Sequence, residues 1–154
     1  SLVRIVLLSA IIWPAVYFLA GYFIAWQFEA VRVFYSGSSV KESFITMMKA
    51  NIESGLYTFQ IIRGFLWVSI GILVLYSTRG TVILKGLILG LLLSVLCSSQ
   101  LILSNPIMPE GVRIGHLVEV GTSNFIWGLI IASVMLSLRS SHKESKIGGV
   151  MTAR

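Results

Sequence analysis

Arg113, His116, Glu119 and Asn124 lie within PEGVRIGHLVEVGTSNFIWG, residues 109 to 128, where an apolar run of membrane length begins. On a helix turning about 100° per residue, with Arg113 at 0°, His116 falls near 300°, Glu119 near 240° and Asn124 near 20°. Ser123 and Trp127 share this arc of roughly 140°. Leu117, Val118, Phe125 and Leu129 occupy the other side. His116 and Glu119, one turn apart, have the residue types and spacing of an acid/base couple. As a metal site the same pair is incomplete, because a catalytic zinc takes three protein ligands. The second histidine, His142, falls on the opposite side of the membrane in the topology derived below, so a bis-histidine haem is excluded. No metal, no cofactor and no catalytic residue is assigned. The chain has no Asp, and the hydroxyls near the couple are Ser104, Thr122 and Ser123.

The composition says what solvent surrounds these residues. Of 154 residues, 56% are hydrophobic and 12% charged, with a mean hydropathy of +0.89. Soluble domains carry about one quarter charged residues. A compact soluble fold of this size has no interior large enough for so much apolar surface, so the lipid bilayer is the first partner. The formal net charge is +6, yet the basic residues are scattered between apolar runs. Nucleic-acid binding needs a clustered basic footprint and is excluded on that ground. The single Cys97 allows neither an internal disulfide nor a CxxC site, and is read as a packing residue. The chain starts on Ser1 rather than Met, so N-terminal residues are expected to be missing or processed.

The elements that must position the polar residues are four spans, giving an all-α polytopic membrane protein, a four-transmembrane-helix bundle. They are expected at 5–27, 55–77, 86–104 and 112–138, each near the roughly 20 residues a bilayer requires. The first is too long for a signal-peptide core and has no small-x-small cleavage site. Pro14 within it predicts a local kink, and Tyr22, Phe23 and Trp26 an interfacial aromatic belt. Between spans one and two, Ser39-Val40-Lys41-Glu42 reads as a capping box. Val40, Phe44, Met48 and Ile52 follow at intervals of four, which predicts a short amphipathic helix on the membrane surface. Residues 1–139 form a single membrane domain, and 140–154 a polar, basic, disordered cytoplasmic tail.

Basic residues set the orientation. With alternating spans, Arg4, Arg79, Lys85, Arg139, Lys143, Lys146 and Arg154 share one side with Glu144 alone. The other side balances Arg32, Lys41, Lys49 and Arg113 against Glu29, Glu42, Glu53 and Glu110. Positive residues favour the cytoplasm, so both termini are expected there.

With that orientation, Glu119 lies about 9 Å below Arg113, and Arg63 about 12 Å below Gly55, at the rise of a helix. Gln27, Glu29, Gln100 and Asn105 end their spans on the same side. A polar cluster of Gln60, Arg63, Gln100, Arg113, His116, Glu119 and Asn124 is therefore expected in the outer half of the bundle. Lipid offers such groups no partner, which predicts an Arg63–Glu119 ion pair completed by His116 and Gln60. Arg113 can instead snorkel to the headgroups.

Three readings of that cluster stand open. It is a pocket for a small polar solute, an ion or a lipid headgroup, in a transport or accessory role. It is a structural ion pair that fixes helix register. Or it is an enzyme site using His116 and Glu119. Gly86, Gly90, Ser94 and Cys97 on span three, and Gln60, Gly64, Trp67 and Gly71 on span two, form small-residue or mixed faces for close helix contact. These contacts lie inside the bundle, or against a second copy or a membrane partner protein.

Two short echoes, FEAVR at 28–32 with PEGVR at 109–113 and GFLWV at 64–68 with NFIWG at 124–128, hint at a two-helix duplication, although their offsets differ. GYFIAWQFEAVRVFY, FQIIRGFLW and NPIMPEGVRIGHLVEVGTSNFIWG resemble a family of small bacterial four-helix integral membrane proteins. The resemblance covers most of residues 17 to 128. It implies a four-span protein of the bacterial inner membrane, and no activity, cofactor or catalytic residue.

Overall fold

The structure, a computed structural model, describes residues 2–136. The expected tail at 140–154, His142 and the last two residues of the fourth expected span lie outside them. The described chain is all-helical. Helix α1 is Leu2–Gln27, α2 Glu29–Ser36, α3 Phe44–Glu53, α4 Leu56–Ser77, α5 Val82–Leu101 and α6 Glu110–Leu136. Among the described residues α1, α4, α5 and α6 are long and apolar enough to cross a membrane, which makes this a multi-pass membrane bundle.

Pro14 acts on α1 in a way its sequence foretells only in part. Residues Leu8–Ile12, just before it, widen into a π-helical turn. Proline has no N–H for the carbonyl four residues earlier, which is that of Ala10. The hydroxyl of Tyr57 on α4 donates to this carbonyl at 3.2 Å. A neighbouring helix thus satisfies the group that lipid would leave bare.

The surface helix exists, but its start needs correction. Residues 39–43 are not helical, and the N-cap of α3 is Ser43, whose hydroxyl accepts from the Thr46 N–H at 3.2 Å. Ser39 therefore caps nothing here. Moving the start by four residues makes Met47 the buried contact, while Val40 and Ile52 stay exposed. Gly55, at φ +80°, makes the left-handed turn from α3 into α4 that a side chain would resist. Helix α2 had no counterpart in the sequence reading. It is one amphipathic turn pair whose Val31 is buried against α6 at Gly115.

The small-residue stripes pack within the bundle. A methyl group on Gly128 of α6 would stand 2.3 Å from the backbone N of Gly90 on α5. One on Gly64 of α4 would stand 2.4 Å from the carbonyl O of Ser9 on α1. Backbones this close gain dispersion contacts, which drive association in lipid where no hydrophobic force acts. Trp13, Val68, Leu89, Leu93, Trp127 and Ile131 fill the space between these seams, each at most 1% exposed.

Basic residues close the ends. Arg32 Nη1 donates to the carbonyls of Trp26 and Gln27 at the end of α1 (2.7 and 2.9 Å). Lys85 Nζ donates to Leu75 O near the end of α4 at 2.8 Å. Arg113 Nη1 donates to Leu101 and Ile102 O at the end of α5, both at 3.2 Å. Arg4 Nη1 reaches Val134 and Met135 O in the last turn of α6 (2.9 and 3.3 Å). The terminal carbonyls of α1, α4 and α5, the negative ends of their dipoles, are thus met by a cation from another segment, and Arg4 meets carbonyls in the last described turn of α6. The FEAVR and PEGVR echoes have a shared meaning here. Each starts a helix, and each sends its arginine back to the helix before it.

Candidate functional site

Glu119 is 3% exposed on α6. Its Oε2 lies 2.8 Å from Nδ1 of His116, one turn earlier. The other ring nitrogen, Nε2, is 3.1 Å from the Tyr35 hydroxyl at the end of α2. The rings of Tyr35 and His116 meet edge to face, 5.6 Å between centroids. With a neutral imidazole, Nδ1–H donates to the carboxylate and Nε2 accepts from the tyrosine. The arrangement is a hydroxyl–imidazole–carboxylate chain with its carboxylate in the interior. Burial, and secondarily the Glu119 charge, raises the Tyr35 phenol above its ordinary titration range.

This chain lines one side of a cavity of about 690 Å³. The α1 wall supplies Tyr17, Phe18, Gly21, Ala25 and Trp26. Helices α2 and α3 supply Tyr35, Met47, Ala50 and Asn51 among others, and Leu56 of α4 closes the deep side. Glu42, in the segment leading to α3, adds a second carboxylate. The cavity exists because α4 starts low. Tyr57 stacks on Phe18 (centroids 6.1 Å apart), nine residues short of the end of α1. The upper turns of α1 then face α2 and α3 instead of a fourth spanning helix.

The same low start overturns the expected Arg63–Glu119 ion pair. Trp13 packs on Trp127 at 5.4 Å between centroids and donates to Gln60 Oε1 at 3.2 Å, so Gln60 and Trp127 share a level. Glu119 is eight residues, or about 12 Å, from that level toward the α2–α3 end. Arg63 is one turn to the other side of it, about 4.5 Å away. No ion pair joins them among the described residues. The Arg63 guanidinium sits 5.7 to 5.9 Å from the ring centroids of Trp13, Tyr17, Phe59 and Trp67. The negative faces of four rings replace the missing carboxylate. Glu119 meanwhile takes the nearest donor, which is on its own helix.

The remaining expected residues also part company. Gln60 is fully buried and serves Trp13, with its Nε2 lacking a partner. Asn124 is 2% exposed and donates to Val120 O at 2.8 Å, within its own helix. Gln100 is exposed at the end of α5. Arg113 caps that helix rather than joining the cluster. Of the expected residues only His116 and Glu119 meet; Tyr35 joins them, and Tyr17 and Glu42 line the same cavity, none of the three having been placed in the site from the sequence. The available signal was EAVRVFYS at 29–36, amphipathic and ending in aromatic residues. Compared with known proteins, the chain matches no family model, no curated protein and no solved structure.

Proposed function

We propose that this protein is a non-enzymatic membrane protein that binds a small amphiphilic ligand in the cavity beside α2 and α3, in a transport or accessory role. One observation carries the proposal: a cavity of about 690 Å³, apolar along α1, that ends on the buried Glu119 carboxylate, the partly buried His116 and Tyr35. Pockets for small molecules have this volume and this mixture of apolar wall and few fixed polar groups. In the orientation we propose, both termini are cytoplasmic and the cavity lies in the outer half of a bacterial inner membrane. The charge bias that supports this survives the helix caps. Setting Arg4 and Lys85 aside on one side and Arg32 and Arg113 on the other leaves Arg79 and the basic residues beyond 136 against Lys41 and Lys49. A Ser38→Cys variant in a Cys97→Ser background is expected to react with an impermeant maleimide added outside; labelling only after lysis would reverse the orientation.

The binding test is thermal stability of the purified protein in the presence of lipids, inorganic ions, small polar solutes, and organic cations and anions with an apolar body. A ligand at one hundred times its Kd stabilises by about 2.7 kcal/mol. That shift is expected in wild type and lost in His116→Ala. No shift with any compound class would sink the proposal. A second reading, acid/base catalysis, draws on the 2.8 Å His116–Glu119 contact and the hydroxyl on Nε2. It requires turnover that His116→Ala abolishes in a folded protein.

A further inference from the structure

The charge of the cavity is opposite to that of the chain. The protein carries a formal +6, yet among the described residues no Lys or Arg lines the cavity, while Glu42 and Glu119 both do. The nearby cations are engaged elsewhere. Lys41, adjacent to Glu42, donates to Gln27 Oε1 at 3.0 Å and lies 4.8 Å from the centre of the Tyr22 ring. Arg32 caps α1, Arg113 caps α5, and Arg63 is held among rings one level down. The walls carry the rings of Phe18, Trp26 and Tyr35, besides that of Tyr17, which already packs on Arg63. Ring faces, a buried carboxylate at Glu119 and an exposed one at Glu42 attract the same kind of guest, a weakly hydrated cation with an apolar body.

Resting on the cavity reading above, we propose that the ligand class is lipophilic organic cations: amines or quaternary onium ions with an apolar body. The cationic centre sits toward Glu119, and the apolar body lies along Phe18 and Met47. An inorganic ion would leave the apolar walls without a partner, and an anion would meet two carboxylates. Neutral and zwitterionic lipids lack the net charge that those carboxylates favour.

The test compares isosteric probes with opposite charge. The full chain is placed in nanodiscs, and equilibrium dialysis measures binding of tetraphenylphosphonium, tetraphenylborate and neutral triphenylphosphine oxide, with empty nanodiscs subtracted. Saturable binding of the phosphonium is expected, weakened roughly thirtyfold or more by Glu119→Gln, as for loss of one member of a buried charge pair. Glu42→Gln, at an exposed position, is expected to weaken it less with no effect on the fold. Gly21→Phe probes the cavity itself. A side chain there meets nothing within 4 Å at its Cβ, so the ring enters the cavity without disturbing a helix seam. It is expected to abolish phosphonium binding. If the borate or the neutral probe binds equally well at a Gly21-sensitive site, or Glu119→Gln leaves phosphonium binding unchanged, the cation inference is overturned and the cavity reading stands. If Gly21→Phe alters neither probe binding nor any stabilisation found in the ligand screen, the cavity reading falls with it.

Discussion

The carboxylate of Glu119 chose a local partner over a distant one, and that choice can be measured. His116 is one helical turn away, so its contact requires no agreement between helices. A double-mutant cycle on thermal stability is expected to give a coupling of about 0.5 to 3 kcal/mol for His116→Ala with Glu119→Gln. The cycle for Arg63→Met with Glu119→Gln is expected to be additive within about 0.5 kcal/mol. Appreciable coupling of Arg63 to Glu119 would restore the ion pair and refute the aromatic cage. Tyr35 offers a second test. Its phenol holds its proton more tightly in the folded protein, chiefly through burial and then through Glu119. The resulting contribution to stability is present below the ordinary tyrosine value of about 10 and is lost as pH rises through the raised value. In an ultraviolet titration, one phenol absent from Tyr35→Phe is expected to ionise above that value. Ionisation at or below it would contradict a partly buried phenol beside Glu119.

The helices themselves were legible in the sequence to within a few residues, because a span announces itself through twenty apolar residues and little else does. Seams were legible too, since glycine in lipid has few uses other than close approach. Gly128→Ala, with its methyl 2.3 Å from backbone, is expected to cost about 1 to 3 kcal/mol. Gly21→Ala, with open space at the same point, is expected to cost nothing and to gain slightly from helix propensity. Equal melting temperatures for the two variants would argue against the seam. The relative heights of the helices were not legible. Hydropathy reports that α4 spans, but its start beside Phe18 depends on α3 filling the space above, a tertiary fact without local signature. Five expected site residues stand apart from the pair: Gln60 and Arg63 for that reason, Gln100 and Arg113 because they lie at helix ends, and Asn124 because it bonds its own helix. Helix α2 was missed because eight residues with two charges and no cap residue look like loop.

The molecule holds its four spans together with few ionic contacts in its interior and several at its ends. Arg32, Lys85 and Arg113 each bind carbonyls at the end of a different spanning helix, and Arg4 binds carbonyls in the last described turn of α6. Arg4→Gln and Arg113→Gln remove caps at opposite ends of the bundle. Each is expected to lower stability by about 1 kcal/mol, and the double variant by their sum, because the sites share no partner. A neutral outcome for both would mean that water at the interface serves the carbonyls as well as the side chains do.

The seam between α5 and α6 also bears on how the protein is made. Helix α5 is the most apolar of the spans, with a window hydropathy of 2.2, and α6 the least, at 1.5. Their contact at Gly90 and Gly128 is reinforced by the Ser94 hydroxyl, which donates to Gly121 O at 2.8 Å. A nascent α6 carrying Arg113, His116 and Glu119 therefore meets, on leaving the translocon, a helix already shaped to receive it. Until that happens the glycine face of α5 is turned to lipid with nothing against it. The two are therefore expected to enter the bilayer as a hairpin, and synthesis stalled between them to leave α5 without its partner.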